Sequence, residues 1–157
     1  MPPFAQFCYG IQEVPPGDDP WYCALCRPLD YKGQPQQRTP QAPKCELCPH
    51  VKAGAFKPTD DGKWAHQMCA LWCPDTAHSL IEHPTMEPVS NVGAVSRKYR
   101  DLKCSLCGDR GCCVQCSHPA CTVAFHPICG RDAGMKMLLS NEKGLVAFCS
   151  EHRGADT

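Results

Sequence analysis

Closely spaced pairs of cysteine and histidine recur through the second half of this 157-residue chain. Four pairs lie between residues 104 and 152, and their members are Cys104, Cys107, Cys116, Cys121, His126, Cys129, Cys149 and His152. Thiolate and imidazole are preferred ligands of tetrahedral zinc, and a gap of two residues lets both members of a pair reach one ion. Eight ligands suffice for two zinc ions, although the order of the pairs alone does not say which of them share an ion.

A separate set of four ligands lies upstream and consists of Cys45, Cys48, His66 and Cys69. Its spacing is typical of a zinc knuckle. The segment between its two halves predicts a short hairpin that turns at Asp61 and Gly62. The stretch Ala65–Trp72 has no helix breaker and predicts two helical turns that end before Pro74. On that helix His66 and Cys69 would share a face.

The composition indicates that metal, rather than a large apolar core, stabilises the chain. It holds 15 Cys and 16 Pro with only 8% aromatic residues, and small folds of this kind usually need a cross-link. A structural zinc ion contributes about 10–16 kcal/mol of binding free energy to folding. The net stability of a typical domain is about 5–15 kcal/mol. We therefore expect three zinc ions and expect the chain to unfold when they are removed.

A disulfide-linked secreted scaffold is the alternative explanation for so many cysteines. The number of Cys is odd, and histidines recur at ligand spacing, which disulfides do not require. The first residues lack the basic start and the apolar run of a signal peptide. No run of about eighteen apolar residues predicts a membrane span. We expect a reduced, soluble, intracellular protein with no membrane partner.

Residues 44–153 resemble the extended PHD module, a zinc knuckle followed by a PHD finger, as found in Jade, BRPF and trithorax-type chromatin proteins. The segments that carry the resemblance are Gly54–Thr59, Gly62–Trp72, Met86–Pro88 and Phe125–Pro127, with the four-residue gap before His126 and the final His152. The resemblance implies a small zinc-stabilised α+β fold with short strands, short helices and long irregular loops, its PHD finger cross-braced.

In a PHD finger the first and third ligand pairs share one zinc ion, and the second and fourth pairs share the other. The resemblance therefore implies a first site, which we call PHD site one, made of Cys104, Cys107, His126 and Cys129. It implies a second, PHD site two, made of Cys116, Cys121, Cys149 and His152.

The same resemblance divides the chain into a remnant of a first PHD finger (1–27), a Pro/Gln-rich linker (28–43) and the extended module (44–153). The extended module in turn consists of a knuckle (44–73), a connector (74–103) and a finger (104–153). In the remnant, Cys8, Cys23 and Cys26 match the last ligand positions of a finger whose earlier ligands are absent. We interpret it as a truncated or degenerate finger, the latter packing through its aromatic residues without metal. The alternative is that these three thiols hold a further zinc ion with a fourth ligand such as His50.

Three cysteines belong to none of these sets. We predict that Cys73 is a small buried apolar residue. We predict that Cys112 and Cys113 lie on a strand, where neighbouring side chains point to opposite faces, and that Cys113 faces inward. A redox-active pair is the alternative.

The remaining periodicity predicts few further elements. A short helix is expected to begin near His126 within residues 122–133. Met135–Leu139 and Val146–Phe148 predict a two-stranded ribbon, and Val89–Val95 a short strand or turn.

The charges are unevenly distributed although the formal net charge is zero. Residues 1–30 hold four acidic residues against Arg27, a local charge of −3, and residues 97–110 hold five basic residues against two acidic ones, a local charge of +3. Such asymmetry suggests a surface that faces nucleic acid. The predicted DNA contacts are Lys57, Arg97, Lys98, Arg100 and Lys103, acting on the backbone and sensitive to salt. Solvated loop charges are the alternative explanation.

The predicted function is that of a nuclear chromatin reader in transcription regulation, with no catalytic residues and no small-molecule substrate. Each ligand set is complete with four members, whereas a catalytic zinc keeps an open position. The resemblance implies a histone tail and, in some members, DNA as partners. The tail is expected to be unmodified, because Ala147 stands where PHD fingers have Trp and few aromatic residues remain for a methyl-lysine cage. The alternatives are a non-reading scaffold in a histone acetyltransferase or methyltransferase complex, and a RING-like ubiquitin-ligase module.

Overall fold

The computed structural model describes residues 9–30, 32–36, 42–51 and 54–154. Within these ranges the strands are β1 (Phe56–Pro58), β2 (Trp64–His66), β3 (Val114–Gln115), β4 (Ala124–Phe125), β5 (Lys136–Ser140) and β6 (Gly144–Phe148). The α-helices are α1 (Gln67–Trp72), α2 (Pro74–Glu82), α3 (Arg97–Arg100) and α4 (Pro127–Asp132), and Val92–Ala94 and Ser150–His152 form 3-10 turns. Each strand pairs antiparallel with its sequence neighbour to give three two-stranded sheets. None of the helices in the described ranges is long and apolar enough to cross a membrane.

The hairpin of the knuckle turns where the sequence predicted. The amide of Gly62 donates to the carbonyl of Thr59 at 3.0 Å, and Gly62 has φ +80°, a conformation that glycine adopts without strain. The prediction of a helix from Ala65 is wrong, because Trp64–His66 pairs with β1 as a strand and α1 begins only at Gln67. His66 therefore lies at the end of β2 and does not share a helical face with Cys69.

Two helices follow one another at the end of the knuckle. Helix α1 ends at Trp72, as predicted, and Cys73 adopts an extended conformation (φ −84°, ψ 118°). Pro74 then occupies the first turn of α2, where its missing N–H costs no hydrogen bond. The sequence pattern does not predict α2, because Pro74 there marks only the end of α1.

The finger has the two predicted elements. Helix α4 begins at Pro127, directly after His126, and the ribbon predicted downstream is the hairpin β5–β6. In the connector, the stretch predicted as a short strand or turn contains a single 3-10 turn at Val92–Ala94, and Val89 forms an isolated bridge with Thr59.

One apolar core runs through the knuckle, the connector and the finger. Leu47, Phe56, Val92, Phe125 and Ile128 are all buried in it. Backbone hydrogen bonds join the same parts: the amide of Cys112 donates to the carbonyl of Leu47 at 2.8 Å and that of Cys113 to Tyr99 at 3.3 Å. The knuckle therefore packs directly on the edge of the finger.

The three surplus cysteines lie in this core. Cys73 is fully buried, as predicted, and Cys112 and Cys113 are each 1% exposed. The prediction that Cys112 and Cys113 occupy opposite faces of a strand is wrong, since β3 begins only at Val114 and both thiols face the interior. A hydrogen bond from Cys112 to the sulfur of Cys73 lowers the pKa of Cys73 to about 7.

The described part of the N-terminal remnant docks on the knuckle. The hydroxyl of Tyr9 donates to the carbonyl of Phe56 at 2.8 Å, and the Arg27 guanidinium donates two hydrogen bonds, at 2.8 and 2.7 Å, to the carboxylate of Glu87. The ring of Trp21 packs edge-on against Tyr9, with 5.4 Å between centroids.

The first part of the predicted linker is not a free connector. Leu29 bridges Pro35, and the side-chain amide of Gln36 donates to the carbonyls of Ala24 and Leu25 at 2.9 and 3.1 Å. Residues 28–30 and 32–36 therefore fold back on the remnant. The low hydrophobicity of the segment did not prevent a turn held by polar groups.

Candidate metal centres

The knuckle brings its four predicted ligands together in the buried interior. The ligand atoms of Cys45, Cys48, His66 and Cys69 all lie within 4.8 Å of one another. The Nδ1 atom of His66 is 3.4 Å from the sulfur of Cys48 and 3.9 Å from that of Cys69. The sulfur of Cys45 also accepts the amides of His66 and Leu47, at 3.3 and 3.4 Å.

The thiols of this cluster have unequal proton affinities. Hydrogen bonds from Cys48 and Cys69 hold the pKa of Cys45 far below its usual range. The same contacts, together with burial, raise the pKa of Cys69. Because cysteine binds metal as a thiolate, Cys45 is the one of these two residues that more readily presents the binding form.

PHD site one contains the predicted residues and one more. The Nδ1 atom of His126 is 3.4 Å from the sulfur of Cys107 and 3.8 Å from that of Cys129. Cys104 is buried, and its sulfur accepts the amide of His126 at 3.4 Å. However, the four ligand atoms that all lie within 4.8 Å of one another belong to Cys107, His126, Cys129 and His50. His50 comes from the knuckle loop, and its spacing to the finger ligands gave no signal in the sequence.

PHD site two brings together the four residues that the resemblance implied. The ligand atoms of Cys116, Cys121, Cys149 and His152 all lie within 4.8 Å of one another. The Nδ1 atom of His152 is 3.6 Å from the sulfur of Cys116 and 3.2 Å from that of Cys149. The ring of His118 stacks on His152 with 4.0 Å between centroids.

The three clusters fit zinc. Bond lengths of about 2.3 Å to sulfur and 2.0–2.1 Å to nitrogen, with tetrahedral angles, place a sulfur and a nitrogen ligand about 3.5 Å apart. The Nδ1–sulfur distances in the three clusters run from 3.2 to 3.9 Å. Each cluster is thus able to hold one zinc ion.

The remnant cysteines do not form a fourth cluster in the described ranges. Cys8 lies outside the described residues. Cys23 and Cys26 share a backbone turn, in which the amide of Cys26 donates to the carbonyl of Cys23 at 2.9 Å, but neither belongs to a group of three or more candidate ligands there. His50, named above as an example of a fourth ligand in the alternative explanation, lies at PHD site one instead.

Two of the predicted DNA contacts, Lys57 and Arg100, form interactions within the fold. Lys57 is 1% exposed, and its ammonium donates to the carbonyl of Thr85 at 2.9 Å and lies 3.7 Å from the centroid of the Tyr9 ring. Lys57 therefore does not face DNA, and its assignment is corrected. Arg100 is half-buried and donates to the carbonyl of Glu46 at 3.0 Å.

Three other predicted contacts are exposed, namely Arg97, Lys98 and Lys103. Lys44 and Arg110, which were not among the predicted contacts, are also exposed and line a cleft of about 360 Å³ together with Arg100. Arg110 belongs to the basic segment 97–110, whereas Lys44 lies far from it and gave no signal.

Comparison with protein families supports this architecture. A family model described as a PHD-zinc-finger like domain matches residues 43–152. This chain belongs to that family. The resemblance to the extended PHD module and the small zinc-stabilised fold are thereby confirmed.

Three individual proteins show the same similarity. The chain is 41% identical over 163 residues to the histone H3-lysine(4) N-trimethyltransferase ATX1 of Arabidopsis thaliana and 40% identical over 157 residues to protein Jade-1 of Danio rerio. These alignments cover 96% of this chain in both cases, but only 14% of ATX1 and 17% of Jade-1. The crystal structure of the zebrafish PHF14 PZP module superimposes with a TM-score of 0.66 at 31% identity, over 92% of this chain and 71% of that one. The chain is a PHD-type zinc-finger module of the kind that occurs in chromatin proteins.

Proposed function

We propose that this chain is a non-catalytic chromatin-binding module in the nucleus, that it binds an unmodified histone tail, and that it acts in transcription regulation. The observation that carries the proposal is the outer edge of β5. Among the described residues, β5 pairs only with β6, so its other edge carries no strand of this part of the chain. An extended peptide binds such an edge as an additional strand through main-chain hydrogen bonds.

The segment just before β3 is a poorer candidate, because the chain itself already occupies it. The amides of Cys112 and Cys113, just before β3, donate to carbonyls of the knuckle and the connector. Leu139 on β5 is 73% exposed and lines, with Leu145, a groove of about 580 Å³. Leu139 therefore offers an exposed apolar contact to a peptide strand on β5.

An unmodified tail is preferred because the finger offers no aromatic cage. Recognition of a methylated ammonium needs exposed aromatic faces around the cation. Phe125 and Phe148 are the aromatic residues of the finger, and they are 0% and 4% exposed. Ala147 is 2% exposed and packs in the core.

Each candidate zinc site already has four soft ligands, which supports a structural role for the metal. A catalytic zinc keeps a position for water or substrate beside three protein ligands. We infer that the twelve ligands are Cys45, Cys48, His66, Cys69, Cys104, Cys107, His126, Cys129, Cys116, Cys121, Cys149 and His152. From His66 onward they follow the order of one His, five Cys, one His, two Cys and one His. The matching family is named for the same order, abbreviated HC5HC2H.

The edge of β5 can be tested with a charged substitution that leaves the core intact. Because lysine on an edge strand opposes strand addition and would repel a basic tail, Leu139→Lys should weaken binding of an unmodified histone-tail peptide at least tenfold in a fluorescence titration. Val14→Lys is the control, since Val14 is also exposed, at 58%, and lies in the N-terminal segment. Equal effects of the two variants, or tighter binding of a trimethylated peptide, would contradict the proposal.

DNA is a second candidate ligand, and the exposed basic run favours it. Arg97, Lys98 and Lys103 project into solvent on and after α3. Three contacts to phosphates predict that affinity falls roughly 40-fold between 50 and 200 mM salt. The triple variant Arg97→Gln, Lys98→Gln, Lys103→Gln should lose most of that dependence, whereas Lys143→Gln in the β5–β6 turn should not. An unchanged gel shift for the triple variant removes DNA from the proposal.

A non-reading scaffold within a histone-modifying complex is the outcome if zinc-loaded protein binds neither histone peptides nor DNA. A RING-like ubiquitin-ligase role is checked separately by an in vitro ubiquitination assay with a conjugating enzyme.

A further inference from the structure

His50 connects the knuckle to a ligand of the finger. It follows the knuckle ligand Cys48 by two residues, yet its Nε2 atom lies 3.1 Å from the sulfur of Cys129, which is 79 residues away. Its ring also packs edge-on against His126, with 5.3 Å between centroids and an interplanar angle of 88°. Two separate contacts therefore fix the imidazole of His50 against PHD site one.

PHD site one has five candidate ligands for four tetrahedral positions. Cys104, Cys107, His126 and Cys129 already make a complete set. The Nε2 atom of His50 lies 3.1 Å from the sulfur of Cys129, a distance that suits a hydrogen bond from an N–H group to a thiolate.

The charge of the site gives such a donor a physical role. Three thiolates and one neutral imidazole on a divalent ion leave one net negative charge in the core. A hydrogen bond to a ligand sulfur spreads that charge and orients the ligand, and the loss of such an outer contact typically costs 10–100-fold in metal affinity.

We propose that His50 is a positioning residue for the zinc ion of PHD site one, and that its Nε2–H group donates a hydrogen bond to the Cys129 thiolate. The knuckle thereby stabilises metal binding in the finger without contributing a ligand to it. This inference rests on the assignment of zinc to PHD site one and is independent of the ligand bound at β5.

Two substitutions distinguish the effect of the hydrogen-bond donor of His50 from that of its aromatic ring. His50→Phe keeps an aromatic ring against His126 but has no donor, whereas His50→Gln keeps an N–H group near the position of Nε2. In a chelator-release assay on the zinc-loaded full chain, His50→Phe should release one of three zinc ions at least tenfold faster. His50→Gln should restore most of the wild-type rate. His83→Phe is the control, because His83 is exposed and lies outside the three clusters.

Spectroscopy of the metal then distinguishes a donor from a ligand. In the cadmium-loaded protein, His50→Phe should shift one of three cadmium resonances, and the cobalt spectrum should keep the intensity of three thiolates at that site. Wild-type release from His50→Phe would overturn the proposal. So would a Cys104→Ala variant that retains a tetrahedral cobalt ion at PHD site one only while His50 is present, since His50 would then be a direct ligand.

Discussion

His126 is packed so closely that position 111 has no room for a side chain. A Cβ atom on Gly111 would lie 2.5 Å from the Nε2 atom of His126 and 3.2 Å from the carbonyl oxygen of Leu47. The Nε2 atom is buried without a hydrogen-bond partner in the described part of the chain, and Nδ1 faces the cysteines. Gly111 is therefore required by space, because the backbone there must touch a proposed zinc ligand.

Substitution of Gly111 by Ala should displace His126 and weaken PHD site one. We expect zinc release from that site to accelerate at least tenfold, because a ligand that moves by a few tenths of an ångström loses its geometry at the metal. The measurement is chelator-driven zinc release. Gly93→Ala is the matched control, since a Cβ atom on Gly93 meets nothing within 4 Å; the same acceleration in both variants would refute the account.

Lys57 predicts a dependence of stability on alkaline pH. Burial lowers its pKa from 10.5 to about 8, so between these values the unfolded chain holds a proton that the folded chain has released. The free energy of unfolding should then rise with pH across this window, by about 3 kcal/mol in full. In Lys57→Met this contribution should vanish. The measurement is chemical denaturation of the zinc-loaded wild type and Lys57→Met at pH 8 and pH 10. If the free energy of unfolding changes equally between these pH values in the two proteins, a buried, titrating ammonium is ruled out.

Short elements were the hardest to predict from the sequence. Ala65 and His66 carry no helix breaker, yet they extend the strand because Phe56 pairs across from His66, and this pairing outweighs a weak helical propensity. The turn at Gly62 and a helix beginning near His126 were predicted. Glycine adopts the positive φ that such a turn needs, and proline suits the first turn of a helix.

The ion pair between Arg27 and Glu87 holds the remnant against the rest of the fold. Glu87 is 5% exposed, and Lys57 lies 3.9 Å from it. Arg27→Gln should therefore cost roughly 1–3 kcal/mol, the loss of a partly buried, charge-assisted pair. We expect faster proteolytic cleavage within residues 9–36.

Arg131→Gln serves as the control for this prediction. Its pair with Asp132 is exposed on both sides, at 45% and 38%, and is expected to contribute less than about 1 kcal/mol. If Arg27→Gln leaves cleavage of the remnant no faster than Arg131→Gln does, the remnant is not held by this pair.

Across the whole molecule, candidate metal ligands at fixed sequence spacing could be predicted, whereas contacts formed by packing between distant segments could not. Each pair of His and Cys residues can be recognised from its spacing of a few residues in the sequence. His50 beside Cys129 and Lys57 beneath Tyr9 result from packing between distant segments. The burial of Lys57 in particular could not be foreseen, because a lysine in a loop or short strand is usually solvated.

We propose that three zinc ions order the chain. With about 10–16 kcal/mol of binding free energy per structural ion, no other interaction in the described fold is of comparable size. The most direct measurement is elemental analysis of the purified protein combined with circular dichroism before and after chelation. We predict three equivalents of zinc and loss of the fold when they are removed; far fewer than three equivalents on well-folded protein, or a fold that survives chelation, would contradict the claim.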